Sequence, residues 1–144
     1  MSDPLHATLI ARRSAGAWRG LLLRGPSGVG KSDLTLRLIG RGWRLVADDR
    51  VIAWRSGGRV FGRAPDALRN LVEVRGVGVI PCPALCFAEI TAVIDCIPVG
   101  EAIERIPVAA SVEIAGVALR LLRLHPLESG APGKVAAFCG AACV

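Results

Sequence analysis

Eight consecutive residues, Gly25-Pro26-Ser27-Gly28-Val29-Gly30-Lys31-Ser32, have the types and spacing needed to hold a phosphate chain. They satisfy the pattern G-x-x-x-x-G-K-[ST] at every fixed position. Glycines let a backbone wrap closely around an anion and take φ > 0 where required. Backbone N–H groups and the N-terminus of a following helix then face the negative charge. Lys31 is placed to reach the β/γ-phosphates and the Ser32 hydroxyl to ligate Mg²⁺. The chain has 16 Arg and only two Lys, and one of those lysines occupies this slot. A glycine turn with no ligand would need neither the lysine nor the serine.

Acidic residues supply the rest of such chemistry. Asp48 and Asp49 follow Lys31 by 17 and 18 positions and end the apolar run Leu45-Val46-Ala47. A carboxylate at that strand end can hold Mg²⁺ through water or take a proton from an attacking hydroxyl. Alone, a solvated Asp-Asp turn is an equal reading; next to a phosphate loop, function is favoured. Neighbours on a strand point opposite ways, so the two acids are expected to have separate roles. Glu73 and Arg75 flank Val74 and face one side of an extended segment. One could bind metal and the other neutralise phosphate charge, although by themselves they read as a surface ion pair. His6 and His125 are the only histidines, and unaided neither reads as functional.

The flanking pattern provides the elements to position these groups. Gly20–Arg24 is a short apolar run suited to a buried strand, and Asp33–Ile39 has helical periodicity ending at Gly40. Upstream, Ala7–Ala11 reads as a strand and Arg12–Trp18 as a hairpin turn. Trp43–Ala47 is the next strand, and Val51–Trp54 and Arg59–Phe61 flank the hairpin signal Ser56-Gly57-Gly58. Pro65–Asn70 reads as a short helical turn. Leu71–Arg75 alternates until Gly76-Val77-Gly78 breaks it. Ile90–Ile97 is a strongly apolar strand and Pro98–Pro107 an exposed polar stretch. Ser111–Leu124 holds two β-like runs about Gly116, and an alanine-rich terminal helix follows Pro132-Gly133.

Composition bounds the class. A length of 144 residues suits one domain, 1–144, and 52% hydrophobic against 21% charged residues excludes a disordered chain. No apolar stretch is long enough for a transmembrane helix, and the N-terminus lacks a secretory pattern, so a cytoplasmic protein with no membrane partner is expected. The net charge of +6 suits an acidic or phosphorylated partner. Nucleic acid is disfavoured, because the arginines are scattered and aromatics make up only 4%. Cysteines 82, 86, 96, 139 and 143 read as free thiols, since their spacing is wrong for structural zinc and no well-placed His supports it.

Taken together these residues resemble the HPr kinase/phosphorylase (HPr serine kinase) family. That family has a His ahead of a strand, a G-[DP]-S-G-V-G-K-S loop, a strand ending L-V-A-D-D and a signature close to L-E-I-R-G-[LV]-G-I-I. Here these are His6, Gly25–Ser32, Leu45–Asp49 and Val72-Glu73-Val74-Arg75-Gly76-Val77-Gly78-Val79-Ile80. The resemblance spans residues 6 to about 80 and implies an α/β fold: a phosphate-loop core with a mixed sheet, related to phosphoenolpyruvate carboxykinase. It implies ATP on the 25–32 loop, Mg²⁺ on Ser32 and Glu73, and Asp49 as general base towards a serine of an HPr-like phosphocarrier. His6 would support Asp49. Glu104-Arg105 before Ile106-Pro107 resembles the segment that bears a catalytic Arg. The match looks like a short form made of the C-terminal catalytic domain, and members of this family are commonly homo-oligomers. The chain departs from the pattern at Arg50, where a third acid is usual. It departs again in the tail, where Ala131-Pro132-Gly133-Lys134 replaces a segment tied to dephosphorylation. Two other readings stand beside the protein kinase: a small-molecule kinase sharing only the loop, and a nucleotide-binding regulator that reports ATP to a signalling partner.

Overall fold

The computed structural model describes residues 3–140. It contains ten strands and two α-helices in the order β1 (Ala7–Ser14), β2 (Ala17–Arg24), α1 (Lys31–Ile39), β3 (Arg44–Ala47), β4 (Ile52–Ser56), β5 (Arg59–Arg63), β6 (Leu71–Val74), β7 (Gly78–Pro81), β8 (Ala88–Cys96), β9 (Ala110–Ile114), β10 (Val117–Leu124) and α2 (Ala131–Phe138), with a short 3₁₀ turn at Asp66–Leu68 where the sequence suggests a helical turn. A mixed sheet runs β3-β1-β2-β8-β10-β9, with the β4–β5 hairpin joined to β8 through β5. β2, β8 and β10 are parallel neighbours, and the remaining pairs are antiparallel. β6 and β7 form a separate hairpin.

The apolar runs that look unpatterned in sequence are strands buried on both faces. In β2, Leu22 packs into one core with Leu9, Val46, Val60 and Val93. Its neighbours Leu21 and Leu23 point the other way, into a second core with Leu34 and Leu38 of α1 and Val135 of α2. In β8 the alternation slips by one. Ile90 and Val93 share a face because the register shifts between Gly20 and Leu21 of β2, which leaves Thr91 as the extra residue. Its hydroxyl donates to the Gly20 carbonyl (3.0 Å), which satisfies the bulge locally. Gly20 is required there, since a Cβ would run into the Glu89 carbonyl.

Several boundaries differ from the sequence expectation. The first hairpin is tighter than a turn over Arg12–Trp18: the strands pair as far as Ser14↔Ala17 and leave only Ala15-Gly16 at the tip. Both tip residues have positive φ (53° and 78°), the geometry usually signalled by Asn-Gly. Ala115-Gly116 (49° and 79°) repeats it. Alanine in this region carries a steric cost that asparagine tolerates better. Ala15→Asn is therefore expected to raise stability by about 0.5–1 kcal/mol, read as a higher denaturant midpoint at unchanged slope. The segment after Gly76-Val77-Gly78 does not end the β structure: β7 folds back onto β6, pairing Val79 with Glu73. α2 begins ahead of Pro132-Gly133, with the proline in its first turn, where a missing N–H is harmless.

Candidate active site

The glycine-rich segment links the C-terminal end of β2 to α1 and is held by close approach on both sides. A Cβ on Gly25 would lie 2.7 Å from the Cys96 carbonyl of β8. A Cβ on Gly30 would lie 2.7 Å from Leu127, and Gly30 has φ +115°. Gly30→Ala is expected to cost about 2–4 kcal/mol from left-handed strain plus overpacking. Adding Leu127→Ala should recover only the packing part, as thermal unfolding of the single and double variants would reveal. α1 has no side-chain cap, so the backbone N–H groups of its first turn are left without a side-chain partner. Val29 turns inward and packs in the core. The Lys31 ammonium donates to the Gly25 carbonyl (2.6 Å) and the Pro26 carbonyl (3.2 Å).

Facing the loop is a cleft of about 510 Å³ that brings together His6, Ser27, Gly28, Gly30, Lys31, Ser32, Asp48, Asp49, Glu73 and Arg75. Thr8, Asp33 and Leu127 complete its walls. Gly25, Pro26 and Val29 of the same loop do not line the cleft; Val29 lies in the core instead. Arg105 is exposed in the segment between β8 and β9 and does not line the cleft. His125 lies at the loop end of the sheet but does not line the cleft; its Nδ1 donates to the Ile97 carbonyl (3.1 Å).

The two adjacent aspartates are used differently. Asp48 is buried, and both its carboxylate oxygens accept hydrogen bonds: Oδ1 from the Thr8 hydroxyl and Oδ2 from the Glu73 backbone N–H, each at 2.9 Å. It thereby fixes the start of the β6–β7 hairpin against β1. Asp49 is exposed, with φ +68°, a left-handed conformation that turns the chain at the strand end. Its Oδ1 accepts from His6 Nε2 at 3.0 Å, and Arg50 pairs with Oδ2 at 3.3 Å. Glu73 and Arg75 both line the cleft, although β6 ends at Val74 and Arg75 already belongs to the turn that leads to β7. The Arg75 guanidinium lies 3.6 Å from where a Gly28 Cβ would be.

Sequence reasoning missed three contributors. Thr8 carries only the signal of a lone hydroxyl in the apolar start of β1, two residues after His6. Leu127 has no local signal, because its place against Gly30 is made by long-range folding. Arg37 of α1 holds the Leu127 segment through the carbonyls of Pro126 (2.8 Å), Glu128 (2.7 Å) and Ser129 (3.3 Å). The four described cysteines are free thiols, and Cys143 lies outside the described residues. Burial pushes the Cys96 thiol, beneath the loop, up to about 12 despite the nearby Lys31, so it stays protonated.

The cleft thus gathers a glycine-rich loop with its lysine and serine, the hydrogen-bonded pair Asp49–His6, and Glu73 with Arg75 at one end of a mixed α/β sheet. Residues 5–92, more than half of the chain, match the family described as HPr Serine kinase C-terminal domain, and the chain belongs to that family. It is 53% identical over 87 residues to HPr kinase/phosphorylase of Latilactobacillus sakei, covering 56% of this chain and 28% of that protein. It is 37% identical over 122 residues to HPr kinase/phosphorylase of Streptococcus gordonii, covering 77% of this chain and 39% of that protein. The chain thus spans well under half the length of these relatives. Its fold matches the Hpr(Ser) kinase/phosphatase structure from Coxiella burnetii with TM-score 0.81 at 20% identity, over 99% of this chain and 97% of that one. No helix among the described residues is long and apolar enough to cross a membrane.

Proposed function

We propose that this chain is an ATP- and Mg²⁺-dependent serine kinase acting on HPr or an HPr-like phosphocarrier of the phosphotransferase system. The observation that carries the reading is the single cleft holding the Gly25–Ser32 loop, Asp49 with His6, and Glu73 with Arg75. On this reading the loop is a phosphate-binding loop of the Walker A type in a phosphoenolpyruvate carboxykinase-like core, and the protein is a cytoplasmic homo-oligomer. Large apolar side chains left exposed at Ile106 and Val108 support self-association.

The donor set fits a small hard cation. Ser32 and Glu73 both line the cleft and offer an uncharged and a charged oxygen, and Asp48, whose oxygens already hold donors, would contribute through water. When bound, Mg²⁺ neutralises phosphate charge and fixes the phosphate chain. Backbone N–H groups of the loop and of the first turn of α1 hold the β- and γ-phosphates. Lys31 leaves the loop carbonyls and donates to phosphate oxygens instead. Asp49 accepts the proton of the acceptor serine, whose oxygen forms the new bond to the γ-phosphorus as the bond to the β-phosphate oxygen breaks. His6, donating to Asp49 Oδ1, orients the other carboxylate oxygen for that proton. Arg75 stabilises charge on the phosphoryl group in transfer. In the reverse direction Asp49 would return the proton to the serine oxygen, as the name phosphorylase implies for the relatives.

ADP formation measured with and without an HPr-like carrier tests the reading. Carrier-dependent ADP release is expected. ATP binding with no carrier-stimulated turnover would contradict it and favour the nucleotide-sensing regulator.

A further inference from the structure

At the end of the sheet opposite the phosphate loop, a second cavity of about 320 Å³ opens between the strands and the last turn of α2. β2 enters it at Arg19–Leu21 and reaches the phosphate loop only at its other end. The cavity is basic. Arg12 of β1, Arg19 of β2 and Arg120 of β10 line it, together with the hydroxyls of Ser14 and Thr91.

The topology concentrates this charge. Arg12 and Arg19 are direct cross-strand partners, which places like charges opposite each other. Arg120 is in register with Ala92 of β8, itself the partner of Leu21 of β2. With neighbouring strands about 4.8 Å apart, the three arginines spread over about 14 Å of one sheet face. None of them pairs with a carboxylate among the described residues. Two are held in place by aromatic rings: Arg12 lies 5.0 Å from the Trp43 centroid and Arg120 4.5 Å from that of Phe138. Arg120 also donates to the Phe138 carbonyl (2.9 Å), leaving further guanidinium N–H groups for a ligand.

We propose that this cavity binds a small polyvalent oxyanion, either a phosphate compound or a polycarboxylate. Two of its three arginines are preorganised and none is compensated by a carboxylate among the described residues, so an anion relieves the cross-strand repulsion while gaining charge-assisted hydrogen bonds. Its volume lies at the small end of the range for ligand cavities, about 300–1,000 Å³, which suits a metabolite rather than a peptide or nucleic acid strand. The site is separate from the nucleotide cleft and does not depend on the kinase reading.

Calorimetric titration of the full chain with citrate and, separately, with inorganic pyrophosphate tests it. Lys31→Ala weakens anion binding at the nucleotide cleft, and the part of the remaining binding that a second-cavity substitution removes belongs to the second cavity. Arg19→Glu is the companion variant. Arg19 is exposed with no hydrogen bond partner among the described residues, and a glutamate there would face Arg12 as an ion pair, so folding is retained. Saturable binding of at least one anion to Lys31→Ala is expected, weakened at least about tenfold when Arg19→Glu is added. Preference for citrate would assign the polycarboxylate class and preference for pyrophosphate the phosphate class. Absence of binding to Lys31→Ala at millimolar anion, or binding unchanged by Arg19→Glu, would overturn the proposal.

Discussion

Lys31→Ala is expected to fold with an unchanged thermal transition and to lose phosphoryl transfer by about 10²–10³-fold, the usual effect of removing one preorganised charge-stabilising donor. The side chain contributes little to the fold. It donates to the Gly25 and Pro26 carbonyls at the mouth of a cleft, where water can replace it. The loop itself is held by other means: Gly25 against Cys96, Gly30 against Leu127, and Val29 in the core. Loss of transfer with intact folding therefore assigns Lys31 to the phosphate. Rates of ADP formation beside a melting curve provide the check. A variant that retains transfer would mean that the loop backbone alone carries the phosphate charge.

Asp49→Asn should separate binding from chemistry. Asp49 is exposed and does not support the core, and its left-handed φ of 68° is one that asparagine adopts as readily. The amide keeps an oxygen for His6 Nε2 but cannot take up a serine proton. ATP affinity is expected to change by less than about threefold while transfer falls by about 10²–10⁴-fold, the range for loss of a positioned general base. Asp48→Asn should behave otherwise. Asp48 is buried, with one oxygen on Thr8 and the other on the Glu73 N–H. An amide nitrogen facing one of those donors would loosen the β6–β7 hairpin and lower stability together with activity.

These opposite roles for adjacent acids were legible from sequence only in outline. Strand alternation says that Asp48 and Asp49 diverge, but not which one is buried. That depends on Thr8 and on the Glu73 backbone, 40 and 25 residues away. The glycine-rich link from strand to helix, the helix after it and the presence of both Glu73 and Arg75 at the cleft were legible, because each depends on residues within a few positions. The Gly57-Gly58 hairpin was legible for the same reason. The tight first hairpin was not, because alanine occupies a left-handed position that gives no turn signal. β7 was hidden by glycines that read as a break yet serve as the turn. The Leu127 wall has no local cue: it is assembled by Arg37, which gathers three backbone carbonyls from a segment some 90 positions away. Arg105, taken from family resemblance, lies on an exposed segment outside the cleft.

On the proposed function, the cleft transfers a phosphoryl group from ATP to a carrier serine. Intact-mass spectrometry of an HPr-like carrier after incubation with this chain, ATP and Mg²⁺ tests it most directly. The account predicts one added phosphoryl group, absent when the carrier's acceptor serine is replaced by alanine and absent with Asp49→Asn. An unchanged carrier mass under conditions where the chain demonstrably binds ATP would contradict it.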